Sequence, residues 1–184
     1  TIEAGKVEMQ VQAVGINFRD VLNVLGMYPG DPGDPGGDCS GIVTRVPEEG
    51  SMLSIGQRVF GLAAGSLGSH VVASDKTMVP IPDGMSFQEA ATMPTVFITV
   101  ETALNKIAAI QPGETLLMHA AAGGVGLAAI QMATSRGAKT IATAGSSNKR
   151  SLVRSLGVLT ALGSRDTMFV SDLALCQPVN VVLN

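Results

Sequence analysis

The stretch LLMHAAAGGVGLAAIQMA, Leu116 to Ala133, constrains this chain most. Three apolar residues and a histidine lead into small residues and glycines, and an apolar run of helical length follows. That grammar is a buried strand, a tight turn and a helix that opens on the turn. In the frame G-x-G-x-x-G, Ala121 stands at the first position, Gly123 at the second and Gly126 at the third. Glycines at such a turn let a pyrophosphate approach the backbone, and the helix start then offers amides to the phosphates. The turn Ala122-Gly123-Gly124-Val125-Gly126 is therefore a candidate dinucleotide cradle.

The residues around it supply the context that a glycine triplet needs. A strand at 115–119 leads to a helix at about 124–136, and TIATAG follows as a second strand. A helix near 148–156, a short strand near 159–162, a helix near 167–175 and a strand at 179–184 complete the pattern. Strands and helices in strict alternation imply a parallel, doubly wound sheet.

The second strand bears on which cofactor binds. NAD enzymes commonly place an acid about 20 residues past the glycines to hold the ribose 2′-hydroxyl. Here that strand ends in TAGSSNKR, and residues 115–165 hold no acid at all. The serines Ser146 and Ser147 can donate hydrogen bonds to a 2′-phosphate, and Lys149 and Arg150 can pair with it. Basic residues in the first turn of a helix oppose its dipole, which favours a functional reason for them. The expected cofactor is NADPH.

The first half reads differently. Val7, Met9, Val11 and Ala13 alternate with other residues as in a half-buried strand. In NFRDVLNVLG, Phe18, Val21, Leu22 and Leu25 form one apolar helix face, with Asn17 as the cap and Gly26 as the stop. MYPGDPGDPGG is a turn-rich loop. SGIVTRV, GQRVFGL and SHVVAS are short strands of a compact, barrel-like β domain, and VPIPDGM is an extended crossing. SFQEAATMP starts with Ser86 and has Glu89 three residues on, a capping box. Pro94 interrupts that helix, and TVFITVETALNKIAAI carries it to about residue 109. The expected domains are 1–86 and 87–184.

Charge follows the same division. Residues 1–114 carry a net −7, while residues 115–165 carry six cations and no acid, so one third of the chain is built to attract anions. Five Phe, one Tyr and no Trp leave little for stacking nucleic-acid bases, so no nucleic-acid partner is expected. Glycines, prolines and charges interrupt every apolar run, which argues against a membrane span. Two distant cysteines, Cys39 and Cys176, give no disulfide framework and no cysteine-rich metal site. With no signal peptide, cytoplasmic residence is expected. VEMQVQAVG begins as a strand almost at once, and VNVVLN stops inside one, as in a segment of a longer polypeptide.

Taken in order, AVGINFRDVLNVLGMYPG, GGDCSGIV, PDGMSFQEAATMPTVFIT and HAAAGGVGLAAIQMA resemble the enoyl reductase domain of modular polyketide synthases. This is a zinc-free branch of the medium-chain dehydrogenase/reductase family, close to the quinone oxidoreductases. The resemblance implies an α/β chain: a GroES-like β domain lacking its N-terminal part, then a Rossmann domain lacking its C-terminal part, with the active site in the cleft between them. It implies NADPH-dependent reduction of an enoyl thioester carried on an acyl carrier protein, with neighbouring synthase domains as further partners. Where the zinc branch has Gly-His-Glu, this sequence has Gly36-Gly37-Asp38, so no metal is expected.

Carried over residue by residue, the resemblance sets Asn17 and Thr99 beside the nicotinamide ring. Tyr28, the sole tyrosine, becomes a residue on the substrate side and the one catalytic candidate. Hydride would reach the β-carbon, and charge would develop on the thioester oxygen, where donors must meet it. A proton would then reach the α-carbon. By resemblance the family's suspected lysine and aspartate donors lie past Asn184, so residues 1–184 alone are expected to be inactive.

Two alternatives stay open: a stand-alone quinone or enone reductase, and a non-catalytic nucleotide-binding remnant. Among smaller readings, Arg19 and Asp20 are expected to form an ion pair or domain-edge contacts. His119 is expected to hydrogen-bond a carbonyl rather than to touch the pyrophosphate, His70 to lie on the barrel surface, and both cysteines to be core thiols.

Overall fold

The computed structural model describes every residue except Thr1, Asp166, Leu175 and Gln177. Two compact units emerge, residues 1–95 and 96–184. The sequence pattern divides the chain earlier, at residue 86. The later division arises because helix α2 (Phe87–Ala91) packs on three strands of the first unit. The Ser86 hydroxyl accepts from the Glu89 amide at 3.2 Å, and the Glu89 carboxylate accepts from the Ser86 amide at 2.9 Å, so the capping box forms.

The first unit is built on one antiparallel sheet of β1 (Lys6–Gly15), β2 (Asp38–Arg45), β3 (Arg58–Leu62), β4 (His70–Ser74) and β5 (Met78–Pro80), ordered β4-β1-β2-β3-β5. Alternation in β1 buries Val7 and Met9, which join Cys39, Val43, Val59, Val71 and Met78 in a single apolar core. The VPIPDGM segment differs from the expected crossing: its start pairs with β3 as an edge strand. Pro80 fits there because an edge residue need not donate to the ladder.

Helix α1 (Phe18–Val24) forms between Asn17 and Gly26 as its sequence signals. Its expected apolar face is not buried, however. Phe18 is 74% exposed and Leu25 63%, whereas Asp20 is buried. Asp20 is held by polar bonds to the following loop, so the helix turns its polar edge inward. The Asp20 carboxylate accepts from the Gly36 amide at 2.9 Å, Arg19 donates to the Pro32 carbonyl at 2.8 Å, and Asn23 donates to the Gly33 carbonyl at 2.9 Å. The turn-rich loop is thereby strapped to α1.

In the second unit, β6 (Thr115–Met118), β7 (Lys139–Ala144), β8 (Thr160–Gly163) and β9 (Val181–Leu183) pair in parallel in the order β8-β7-β6-β9. All four residues of β6 are buried, as expected of a central parallel strand. The strands alternate with α4 (Gly124–Ser135), α5 (Ser147–Ser155) and α6 (Met168–Ala174). Leu175, the last residue of the helix expected near 167–175, lies outside the described residues. The chain moves outward from β6 through β7 to β8, then returns to place β9 on the other side of β6. That reversal is the switch point at which open α/β sheets bind ligands, beyond the carboxyl ends of the strands.

Helix α3 (Pro94–Val100) runs into a π-helical segment, Glu101–Ile107. Its wide turns show in the bonds from Ala108 N to Ala103 O and from Ile110 N to Leu104 O. Ala109 then takes φ +48°, a left-handed stop where the sequence suggested only an ordinary helix end. Among the described residues, no helix is long and apolar enough to cross a membrane.

Candidate functional site

Three strand ends converge on one hollow in the second unit. Ala120, Ala122 and Gly123 follow β6, Ala144 and Gly145 end β7, and Ser164 and Arg165 follow β8; with Lys149 they line an open space of about 260 Å³. The turn after β6 is shaped by Ala120, whose φ of +49° is unusual for a residue with a side chain. Gly123 caps α4 with extended backbone, and no side chain bonds the helix start there. The first amides of a helix have no partner within it, so Gly124, Val125 and Gly126 can offer theirs to an anion.

Gly126 has a different task. A β-carbon there would lie 2.5 Å from both Cα and O of Ala121. Helix α4 can cross the end of β6 this closely only with glycine at that position. Ala121 is fully buried, so an alanine at the first position of the fingerprint serves as packing.

The hollow's charge comes from Lys149 and Arg165. Ser146 caps α5, its hydroxyl accepting from the Lys149 amide at 3.3 Å, and Ser147 is the first helical residue. Arg150 turns back instead and donates to the Ala144 carbonyl at 3.2 Å. Arg165 takes a place at the hollow that sequence reasoning did not give it. A β-carbon on Gly145 would sit 2.9 Å from its Nε, so the guanidinium lies directly over the end of β7. The only signal for it was its membership of the acid-free stretch.

His119 meets a hydroxyl where a carbonyl was expected. Its Nδ1 lies 3.0 Å from Thr143 Oγ1, and its ring meets Phe169 edge-on at 5.7 Å. His70 is exposed, with Nδ1 3.3 Å from Ser69 Oγ.

The first unit has a second hollow, of about 450 Å³, whose lining includes Asn17, Asp20, Gly36, Gly37, Ala63 and Thr95. Gly36 has φ +97°, and a β-carbon on it would lie 2.4 Å from the Leu67 amide nitrogen, so glycine is required. Asn17 sits in this hollow. Tyr28 is half-buried and is not one of the residues lining this hollow; the Arg19 guanidinium, which does line it, lies 5.3 Å over the tyrosine ring. Of the two readings of Arg19 and Asp20, an ion pair or domain-edge contacts, the ion pair does not form: Arg19 holds Pro32 and Tyr28, and Asp20 holds backbone amides. Thr99 lies exposed on α3.

Residues 3–83 match the model of the alcohol dehydrogenase GroES-like domain, and residues 124–184 match that of the zinc-binding dehydrogenase family. The second name implies a metal, and the residues here do not fit one. Asp38 spends its carboxylate on Asn17 and Thr95. Burial pushes the neighbouring Cys39 thiol up to about 11, away from the thiolate a metal needs. Among the described residues, no three His, Cys, Asp or Glu gather as a ligand set.

A phenolphthiocerol/phthiocerol polyketide synthase protein of Mycobacterium tuberculosis is 39% identical over 99% of this chain, which spans 9% of that synthase protein. The CurK enoyl reductase is 40% identical, with a TM-score of 0.92 over 100% of this chain and 60% of its own. An Escherichia coli quinone oxidoreductase solved with NADPH is 30% identical, with a TM-score of 0.85 over 99% of this chain and 59% of its own. The chain belongs to the zinc-free medium-chain dehydrogenase/reductase family, in the branch of the polyketide synthase enoyl reductase domains.

Proposed function

We propose that this chain belongs to an enoyl reductase that uses NADPH to saturate the α,β double bond of a thioester on an acyl carrier protein. The observation that carries the reading is the hollow at the ends of β6, β7 and β8, where Lys149 and Arg165 stand and the sequence from the end of β7 to Arg165 holds no acid. An acid there would repel a 2′-phosphate, and two cations attract one.

The residues fit this cofactor. The methyl of Ala122 and the bare Cα of Gly123 leave the backbone open to a pyrophosphate, and the amides at the start of α4 bind its charge. Lys149, with Ser146 and Ser147 at the start of α5, holds the adenosine phosphate. When bound, the cofactor supplies a hydride to the enoyl β-carbon. Asn17 and Thr99 orient the nicotinamide end, and Tyr28 faces the substrate. The neighbouring domains of a synthase deliver the acyl chain.

Greater likeness to the CurK enoyl reductase, at 40% identity against 30% for the quinone oxidoreductase, favours an enoyl thioester over a quinone. The whole enzyme to which residues 1–184 belong, given NADPH with either a crotonyl thioester or a benzoquinone, decides between them. Faster turnover of the thioester supports the reading. Turnover of the quinone alone replaces it with the stand-alone reductase.

A further inference from the structure

Asp38 opens β2 with 2% of its surface exposed. A carboxylate buried so far is costly unless hydrogen bonds replace its water. Three do. Asn17 Nδ2 donates to Oδ2 at 3.2 Å, and Thr95 donates to Oδ1 twice, from its amide at 3.0 Å and its hydroxyl at 2.6 Å. Thr95 is the second residue of α3, so the same carboxylate satisfies a helix-start amide that has no partner within the helix.

An ionised carboxylate only accepts. The Asn17 amide must therefore keep its nitrogen toward Asp38, because a half-turn would set two acceptors against each other. Asp20 fixes the same residue through its backbone, with Oδ2 accepting from the Asn17 amide at 2.8 Å. Asn17 and Thr95 both line the hollow of the first unit, and Asp38 reaches it through them.

We infer that Asp38 is a positioning residue: it locks the Asn17 side chain in one amide orientation, and through it sets the affinity for the nicotinamide end of the cofactor. This rests on the cofactor reading above. Asp38→Asn is the informative change. An asparagine there keeps an oxygen for Thr95 and turns its NH₂ toward Asn17, so two donors face each other and Asn17 must flip.

The full chain and its D38N, N17A and D38N/N17A variants are titrated with NADPH and with 2′,5′-ADP, which lacks the nicotinamide. Thermal melts run alongside. We expect D38N and N17A each to weaken NADPH by roughly threefold to tenfold, the range of one neutral hydrogen bond. Affinity for 2′,5′-ADP stays unchanged, and the double variant binds NADPH no more weakly than N17A. Additive losses, an equal loss of both ligands or no loss overturns the inference while leaving the cofactor reading intact. A native chain that binds neither ligand overturns both. Should D38N lose its melting transition, Asp38→Glu, which keeps the charge but displaces the oxygens, must show the same split between ligands; equal losses again overturn it.

Discussion

A β-carbon on Gly126 would lie 2.5 Å from the Cα of Ala121, closer than any side chain tolerates. Gly126→Ala therefore pushes α4 away from β6. Overpacking of this kind costs about 1–3 kcal/mol. The displacement also moves the helix-start amides, so NADPH affinity should fall along with the melting temperature. Chemical denaturation and cofactor titration of the variant check this. Full stability with full affinity would show that the turn can relax.

Lys149 and Arg165 offer charge where phosphate is expected. Each alanine substitution should weaken NADPH about tenfold, the scale of one charge-assisted contact. NADH, lacking the 2′-phosphate, should change much less. Raising ionic strength should narrow the gap between the two cofactors in the native chain. Titration of both cofactors with each variant measures the difference.

Glu89 gives a pH signature. Its carboxyl is held below the ordinary value of 4.5, first by the Ser86 hydroxyl and then by the Ser86 amide. A depressed carboxylate adds stability that is present above its unfolded value and is lost as pH falls through its folded value. The melting-temperature gap between the native chain and Glu89→Gln should be full above about pH 5.5 and should close as pH falls below 4.5. Ser86→Ala should cost about 1 kcal/mol through the lost cap.

The two cysteines should separate in labelling. Burial holds Cys39 at about 11, so at pH 8 only on the order of one thiol in a thousand is ionised. Cys176 is half-buried, its Sγ donating to the Asp172 carbonyl at 3.3 Å. A thiol reagent should modify Cys176 in the native chain and reach Cys39 only on unfolding.

Elements whose signals are local were legible in the sequence. The Ser86–Glu89 box, the Asn17 cap, the Gly26 stop and the glycine turn each rest on a few adjacent residues, and each forms where it was read. What escaped depends on residues far apart. Arg165 reaches the hollow only because the sheet sets the end of β8 beside that of β7. In the sequence Asp38 figures only as the acid that follows Gly37, where the zinc branch has its histidine, because its partners Asn17 and Thr95 lie 21 and 57 residues away. The face of α1 was misjudged because periodicity ranks apolar area, whereas two straps to the loop and the Asp20–Gly36 bond decide which edge turns in.

Hydride transfer from NADPH to an enoyl β-carbon can be followed with an isotope. The whole enoyl reductase to which residues 1–184 belong is given NADPH carrying deuterium on the transferable face of the nicotinamide, together with a crotonyl thioester, and the product is read by mass spectrometry and NMR. One deuterium should appear at the β-carbon of a butyryl thioester, in step with cofactor oxidation and far more slowly with the corresponding NADH. Cofactor oxidation without deuterium at that carbon, or equal rates with NADH, would refute NADPH-dependent enoyl reduction by this protein.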